Sequence, residues 1–473
     1  LKVRVGIVAE PGAPMAAALD KTRLCNANGI EVPAIDASHI TDVLFLPYTR
    51  YNPDADGASI EERVCALEHI TKDIVWLLEQ PYHKFWSQSV FDESLHKFVV
   101  SYLENAPRAH CDTFAVYKAG GRLSTLEKEV HRGVFMILLR TSTHKESKDC
   151  FLTPEVFGDI VYQNWLFDIP MMLDIAAVYG RANRDLTSKM LANLFRRQPM
   201  YNEDLDATVG TVISIFRQVI ARCTGEDGGK GSAGAADTPE TMLEYATDMA
   251  VALHALLEVR PEVALACRAR GMLPVLAEMH DAVVEFIGPR PPGAVRGKVR
   301  EWLTLLAHGL FAHGYCSGDK DGGGGGDPGH EALDVLDAVL QHPAFATDWS
   351  TMRPVLALMR KLETRYPKLD RERLQYFQAV VEANVSDGPA TAPQGAAAAV
   401  TPRPAVEAST SAAKVSVEVV SQISAVRDLF PDLGEGFVAA CLEALSNDIE
   451  KVTNAVLESA LPPAIAELPR AMT

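Results

Sequence analysis

Apolar side chains recur at helical spacing along most of this 473-residue chain, and this period constrains the fold more than any other feature. Leu67, Ile70, Ile74, Leu77 and Leu78 lie at the spacing that buries one face of a helix. The stripes follow no fixed repeat, so the sequence predicts an all-α fold with an irregular multi-helix body rather than a regular solenoid. Further stripes lie at residues 134–139, 156–165, 171–179, 190–195, 212–220, 242–257 and 332–340.

Low-complexity segments divide the chain into units. Glycine-rich runs at 224–237 and 317–329 have no side chains that fill a core, which predicts exposed loops within the body. The stretch 386–415 is rich in Ala, Pro, Ser and Thr and predicts a flexible linker to a small separate domain. The predicted units are an N-terminal arm at 1–57, a helical body at 58–385, the linker, a small domain at 416–461 and a tail at 462–473.

The N-terminal arm is predicted to be partly extended. Short apolar runs at 3–8 and 43–46 each predict a short strand. The segment 6–14 lacks the GxGxxG spacing of a dinucleotide loop, so we interpret it as part of an ordinary extended arm.

Charge and cysteine usage narrow the classes of function. The chain has 45 Lys and Arg against 62 Asp and Glu, a formal net charge of −17, which disfavours direct binding to nucleic acid. Eight cysteines are spread singly, as is typical of a reducing compartment. No apolar run reaches the roughly 20 residues of a membrane helix, so we expect no membrane partner.

Catalytic and metal-binding patterns are absent from the sequence. It contains no HExxH, GxSxG, Walker or zinc-finger spacing, so we expect no enzyme activity, no cofactor and no metal. The polar run 141–149 is interpreted as a solvated loop, and His83 and His96 as packed or partly exposed histidines. Five aromatic residues are interpreted as core side chains of two helices that meet across Pro81, with a ligand pocket as the alternative. They are Trp76, Phe85, Trp86, Phe91 and Phe98.

The small C-terminal domain is predicted to contain three short helices. Val420, Ile423 and Val426 form the buried face of the first, and Asp448 is placed to cap the third. A unit of about 45 residues buries few side chains, so large apolar groups at the helix ends either complete the small core or form a patch that a partner covers. The candidates are Leu429, Phe430, Val456 and Leu457.

Residues 429–437, with Val456 and Leu457 near the end of the third helix, resemble the CUE domain. This is a three-helix, UBA-like module that binds ubiquitin. Leu429 stands where the family usually has Met, and Val456 where it has the first Leu of a pair. The resemblance implies a single ubiquitin-binding surface formed by Leu429, Phe430, Pro431, Leu433, Val456 and Leu457.

Short motifs in the body lie at residues 76–78, 84–86, 91–95, 142–149, 166–170 and 204–206. In this order they resemble the subunit 2 family of the activating signal cointegrator 1 complex. The resemblance is strong over 43–223, weak over 224–415 and strong again in the C-terminal domain.

That resemblance implies a non-enzymatic adaptor in the nucleus and cytoplasm. Its CUE domain would bind ubiquitin and polyubiquitin, preferably lysine-63-linked chains, and its helical body the large helicase subunit of the complex. The implied roles are ribosome-associated quality control and repair of alkylation damage. Two alternatives stay open: a helical RNA-binding or transcription-coactivator scaffold whose CUE-like module is only structural, and an enzyme whose site is assembled from distant residues.

Overall fold

The computed structural model describes residues 17–118, 120–225, 239–288, 294–317 and 327–386, together with Cys441. The chain divides into two compact units, Leu1–Ala392 and Pro393–Thr473. All described residues except Cys441 belong to the first unit. Most of the two predicted glycine-rich loops, the predicted linker and the predicted strand at 3–8 lie outside the described residues.

The first unit is built from helices, which confirms the all-α prediction. Sixteen α-helices are present in the described ranges, none of them long and apolar enough to cross a membrane. Their bounds are α1 Gly57–Glu79, α2 Tyr82–Phe91, α3 Glu93–Asn105, α4 Gly121–Thr141, α5 Pro154–Gln163, α6 Ile169–Ile175, α7 Arg184–Arg197, α8 Met200–Thr224, α9 Pro239–Val259, α10 Val263–Ala269, α11 Met272–Ile287, α12 Ala294–Gly314, α13 Pro328–Leu340, α14 Pro343–Met352, α15 Val355–Arg365 and α16 Arg371–Ser386.

A short hairpin precedes the helices. Strand β1, Arg23–Cys25, pairs antiparallel with β2, Glu31–Pro33. The side chain of Asn26 accepts hydrogen bonds from the backbone N–H groups of Asn28 and Ile30 and so closes the connecting turn. Gly29 has φ +75°, a conformation that costs glycine little.

The predicted strand at 43–46 is wrong. This segment has no secondary structure, because its backbone bonds to a helix side chain rather than to another strand and no ladder forms. The stripe predicted at 156–165 also ends early, because α5 stops at Gln163. Trp165 is 69% exposed and has φ 55°, the only positive φ of a non-glycine residue in the described ranges.

Helix α1 shows how the stripes build the core. It starts at the side chain of Asp56, which accepts from Ser59 N, and ends before Pro81. Its predicted face packs against α4, and Gly133 of α4 lets the two backbones approach: an added Cβ would lie 2.5 Å from Ile74 Cγ2. The buried residues of α1 are Val64, Leu67, Ile70, Ile74 and Leu77, with Leu78 partly buried.

The aromatic residues around Pro81 mostly fill the core, as predicted. Phe85, Trp86 and Phe98 are fully buried, and Trp76 is partly buried against the same cluster. Phe91 is the exception, since it is 42% exposed. It is the last residue of α2, where the chain turns into α3, so the core does not surround it.

The last third of the body is organised around α11, α12 and α14. Asp348 accepts two hydrogen bonds from Arg300, both of 2.7 Å, and lies 2.9 Å from His280 Nε2. Burial by itself lowers the pKa of His280. The carboxylates of Asp281 and Asp348 have the larger combined effect in the opposite direction, so the pKa of His280 is raised.

Candidate protein-interaction surfaces

Residues 40–50 form no helix or strand and bond to side chains of α2 and α3; we call this segment the strap. Its backbone bonds to helix side chains: Phe45 N donates to Ser94 Oγ at 3.1 Å, and Tyr48 N donates to Ser101 Oγ at 2.9 Å. Phe45 and Tyr48 point inward and are buried. The strap is therefore held by main-chain hydrogen bonds and by two aromatic side chains in the core.

Asp92 orients the helix side chains that hold the strap. Its carboxylate caps α3 by accepting from Ser94 N at 2.8 Å, and it also accepts from Ser94 Oγ and from Gln88 Nε2. Gln88 in turn accepts from Thr41 N at 3.0 Å and donates to Thr41 O at 3.1 Å. The position of the strap thus depends on one carboxylate at the junction of α2 and α3.

A buried polar cluster anchors the end of the strap. Tyr48 donates to Glu127 Oε2 at 2.7 Å, and Arg63 lies 2.6 Å from Glu127 Oε1 and donates to the Tyr48 hydroxyl at 2.9 Å. Arg63 also donates to Thr49 O at 3.0 Å. Burial, and then the Glu127 carboxylate, raise the pKa of Tyr48, so its hydroxyl stays protonated and donates.

The outer side of the strap is apolar. Leu44 is 74% exposed, and Ile40, Leu46 and Phe91 are also exposed. Thr41 and Phe45 bond to side chains of α2 and α3, and Phe91 is the last residue of α2; we call Ile40, Leu44, Leu46 and Phe91 the strap surface. Within the part of the chain that the structure describes, the N–H groups of Leu44 and Leu46 have no partner. Exposed apolar side chains beside free main-chain donors suit an extended segment of another protein.

The polar run at 141–149 belongs mainly to the loop between α4 and α5, and its contacts are structural. Arg140 donates to Leu78 O and Gln80 O, both at 3.1 Å, and to Glu146 Oε1 at 2.5 Å. Its guanidinium carbon lies 4.0 Å from the centre of the Phe85 ring. One side chain therefore joins α1, α2 and the loop, and several motif residues maintain the fold rather than carry out chemistry.

His83, one of the two histidines near the aromatic cluster, packs against another histidine. The ring of His83 lies against His39 at 5.5 Å between centroids. Burial, and then His39, lower the pKa of His83 to about 4, so it is neutral near pH 7. The packing of His83 agrees with the sequence interpretation of a packed or partly exposed histidine.

The predicted ubiquitin-binding residues lie outside the described residues. They are Leu429, Phe430, Pro431, Leu433, Val456 and Leu457. Cys441, in the region of the second predicted helix, is helical and fully buried. Burial raises the pKa of its thiol.

Comparison with known proteins agrees with both parts of the sequence interpretation. The CUE domain family matches residues 419–459. Activating signal cointegrator 1 complex subunit 2 of Homo sapiens is 30% identical over 93% of this chain, and the Mus musculus protein is 29% identical over the same share. The predicted resemblance is confirmed. This chain spans 65% of the human and 66% of the mouse subunit 2, just under two thirds of each.

The body also resembles a solved structure. A chain from the crystal structure of a DNA repair complex ASCC3-ASCC2 superposes with a TM-score of 0.68 and 28% sequence identity. The match covers 79% of this chain and all of that chain. The fold of this chain is therefore similar to that of one chain of the complex.

Proposed function

We propose that this protein is a non-enzymatic adaptor that binds lysine-63-linked polyubiquitin through its CUE domain and the large helicase subunit of the activating signal cointegrator 1 complex through its helical body. It would act in the nucleus and cytoplasm, in ribosome-associated quality control, in alkylation-damage repair or in both. The proposal is supported by two features that occur in one chain. Residues 419–459 match the CUE domain family, and the body is similar to a chain of the ASCC3-ASCC2 complex.

The expected energetics of the CUE domain favour chains over single ubiquitins. Burying three or four apolar side chains contributes about 5–10 kcal/mol at roughly 1.5–3 kcal/mol each, and association costs of about 4–15 kcal/mol offset most of this. A polyubiquitin chain gains by effective concentration once one of its units is bound. Residues 416–461 carry 8 acidic and 2 basic side chains, a charge of −6 that favours a basic partner surface and opposes RNA binding.

In the body, the strap surface is the candidate contact for the helicase subunit. An extended segment of that subunit would pair with the free N–H groups of Leu44 and Leu46 and cover their side chains. The polar cluster of Tyr48, Arg63 and Glu127 fixes the strap in advance, which lowers the entropy cost of binding.

Ubiquitin binding is tested with Leu429→Asp, Phe430→Asp and Leu457→Asp in the full chain. We expect each to abolish binding of lysine-63-linked chains in isothermal titration, because each puts a charge into an apolar contact. The variants should still capture the helicase subunit and keep wild-type tryptophan fluorescence, since all five tryptophans lie in the body. Unchanged affinity for ubiquitin would disprove the assignment of the CUE surface.

Helicase binding is tested with the double variant Leu44→Asp, Leu46→Asp. We expect the helicase subunit to be lost in a pull-down while ubiquitin binding persists. Leu186→Asp is the matched control, because Leu186 is an exposed leucine on α7, outside the strap surface. Capture that needs only the CUE domain would overturn the role of the body. RNA binding with a steep salt dependence in a filter assay would instead favour the RNA-binding scaffold.

A further inference from the structure

A second site in the body combines three metal-binding residue types. His110 and Cys111 follow α3 and precede a 3-10 helix, and Asp248 lies in the middle of α9. His110 Nε2 is 2.7 Å from Asp248 Oδ1. One ligand atom from each residue lies within 4.8 Å of the other two, and no other such group of His, Cys, Asp and Glu occurs in the described ranges. We infer that His110, Cys111 and Asp248 form a Zn²⁺ site.

The donor set matches the chemistry of zinc. Imidazole nitrogen, thiolate and carboxylate oxygen are its protein ligands, at about 2.0–2.3 Å, and three of them leave the fourth tetrahedral position to water or a partner's side chain. At these bond lengths, neighbouring ligand atoms are about 3.3–3.8 Å apart. The three ligand atoms lie within 4.8 Å of one another, a limit that includes this spacing. The thiolate favours zinc over magnesium and calcium, which prefer oxygen donors.

The cysteine distinguishes a metal site from a plain ion pair. His110 and Asp248 suffice for an ion pair, yet the ligand atom of Cys111 also lies within 4.8 Å of theirs. The Cys111 thiol is only half-buried, so metal in solution can reach it. In the part of the chain that the structure describes, Cys111 is not among the side chains of the hydrophobic core or those packed against it.

The surroundings hold the ligands in place. Lys298 Nζ donates to His110 O at 3.1 Å, and the Trp302 ring lies edge-on to the His110 ring at 6.2 Å between centroids. Arg108 pairs with Asp174 of α6 at 2.6 Å and so fixes the same loop from the other side. Backbone and ring of His110 are therefore positioned before any metal binds, as a metal site requires.

Nearby positive charges limit the affinity. Lys298, Arg108 and Arg50 lie close to the cluster, and the two arginines favour the charged form of Asp248. The Asp174 carboxylate pairs with Arg108, and the thiolate and carboxylate ligands together neutralise the charge of Zn²⁺. We therefore expect weaker binding than at a four-ligand structural zinc site.

Cobalt is the probe, because its tetrahedral complexes absorb visible light and Co²⁺–thiolate bonds add a charge-transfer band. The full chain is stripped with a chelator, kept reduced and titrated with Co²⁺. We expect one equivalent to produce both absorptions and Zn²⁺ to remove them. Zn²⁺ should also raise the melting temperature of the wild-type protein.

Variants locate the metal. Cys111→Ser should lose the charge-transfer band and bind at least about tenfold more weakly, and Asp248→Asn should show the same loss of affinity. Cys65→Ser, which removes an exposed cysteine of α1, is the matched control and should leave the spectrum unchanged. The inference is overturned if no absorption develops, if the band survives in Cys111→Ser, or if Zn²⁺ raises the melting temperature of that variant as much as that of the wild type.

Discussion

Replacing Arg63 by Met should destabilise the body strongly, because it leaves a buried carboxylate without its cation. The Glu127 side chain is fully buried, and Arg63 is 11% exposed, so solvent screens their interaction little. Removing one partner of a buried ion pair typically costs about 3–5 kcal/mol. Tyr48 still donates one hydrogen bond to Glu127, so we expect the lower part of that range, about 3 kcal/mol.

The double variant Arg63→Met, Glu127→Gln tests the reason for this loss. A neutral amide still accepts from Tyr48 and removes the unpaired charge, so the double variant should be more stable than Arg63→Met alone by about 1–3 kcal/mol. Urea unfolding of the full chain, followed by tryptophan fluorescence, measures the body alone. A double-mutant cycle with Glu127→Gln then gives the coupling energy between the two residues.

Two results would refute this reasoning. If Arg63→Met costs less than about 1 kcal/mol, the pair behaves like an exposed salt bridge. If the double variant is no more stable than Arg63→Met, the loss comes from packing of the Arg63 stem and not from the charge of Glu127.

Gly158→Ala should cost about 1–3 kcal/mol in the same unfolding assay, because its Cβ would lie 2.3 Å from Arg197 O; Gly57→Ala, with nothing within 4 Å, is the control. Burial lowers the pKa of His131 to about 4, and Tyr102 Oη lies 2.8 Å from its Nδ1. The contribution of neutral His131 is therefore complete above about pH 6.5 and is lost as the pH falls towards 4. The stability difference between wild type and His131→Gln should shrink over that interval; a constant difference would contradict it.

The helices of the body were predictable because their signal is local. The apolar stripe of α1 appears in the sequence as Leu67, Ile70, Ile74 and Leu77, and all four are buried. The strap was misjudged because its partners are distant: Ser94 and Ser101 are ordinary polar residues of a helix until the fold brings them under the backbone of Phe45 and Tyr48.

The ubiquitin-binding surface and the zinc site also differ in how local their signal in the sequence is. The ubiquitin-binding residues follow from one short motif around Phe430 and from Leu457, and they stay a prediction. The zinc ligands were missed because Asp248 is 138 residues from His110, and adjacent His and Cys have no zinc-finger spacing. Only the packing of α9 beside the loop after α3 brings them together.

The strap fits along α3 because the distance between Phe45 and Tyr48 is close to the distance between Ser94 and Ser101, the residues that they bond to. Ser94 and Ser101 are two helical turns apart, about 10.5 Å along the axis of α3. Phe45 and Tyr48 are three residues apart and both buried, a period that matches the three residues per turn of polyproline II geometry and spans about 9 Å. A single inserted residue between them would turn the Tyr48 ring towards solvent and withdraw its hydroxyl from Glu127. The strap should therefore tolerate the insertion or deletion of a residue less well than the substitution of its exposed leucines. This is an unusual property for a stretch with no secondary structure of its own.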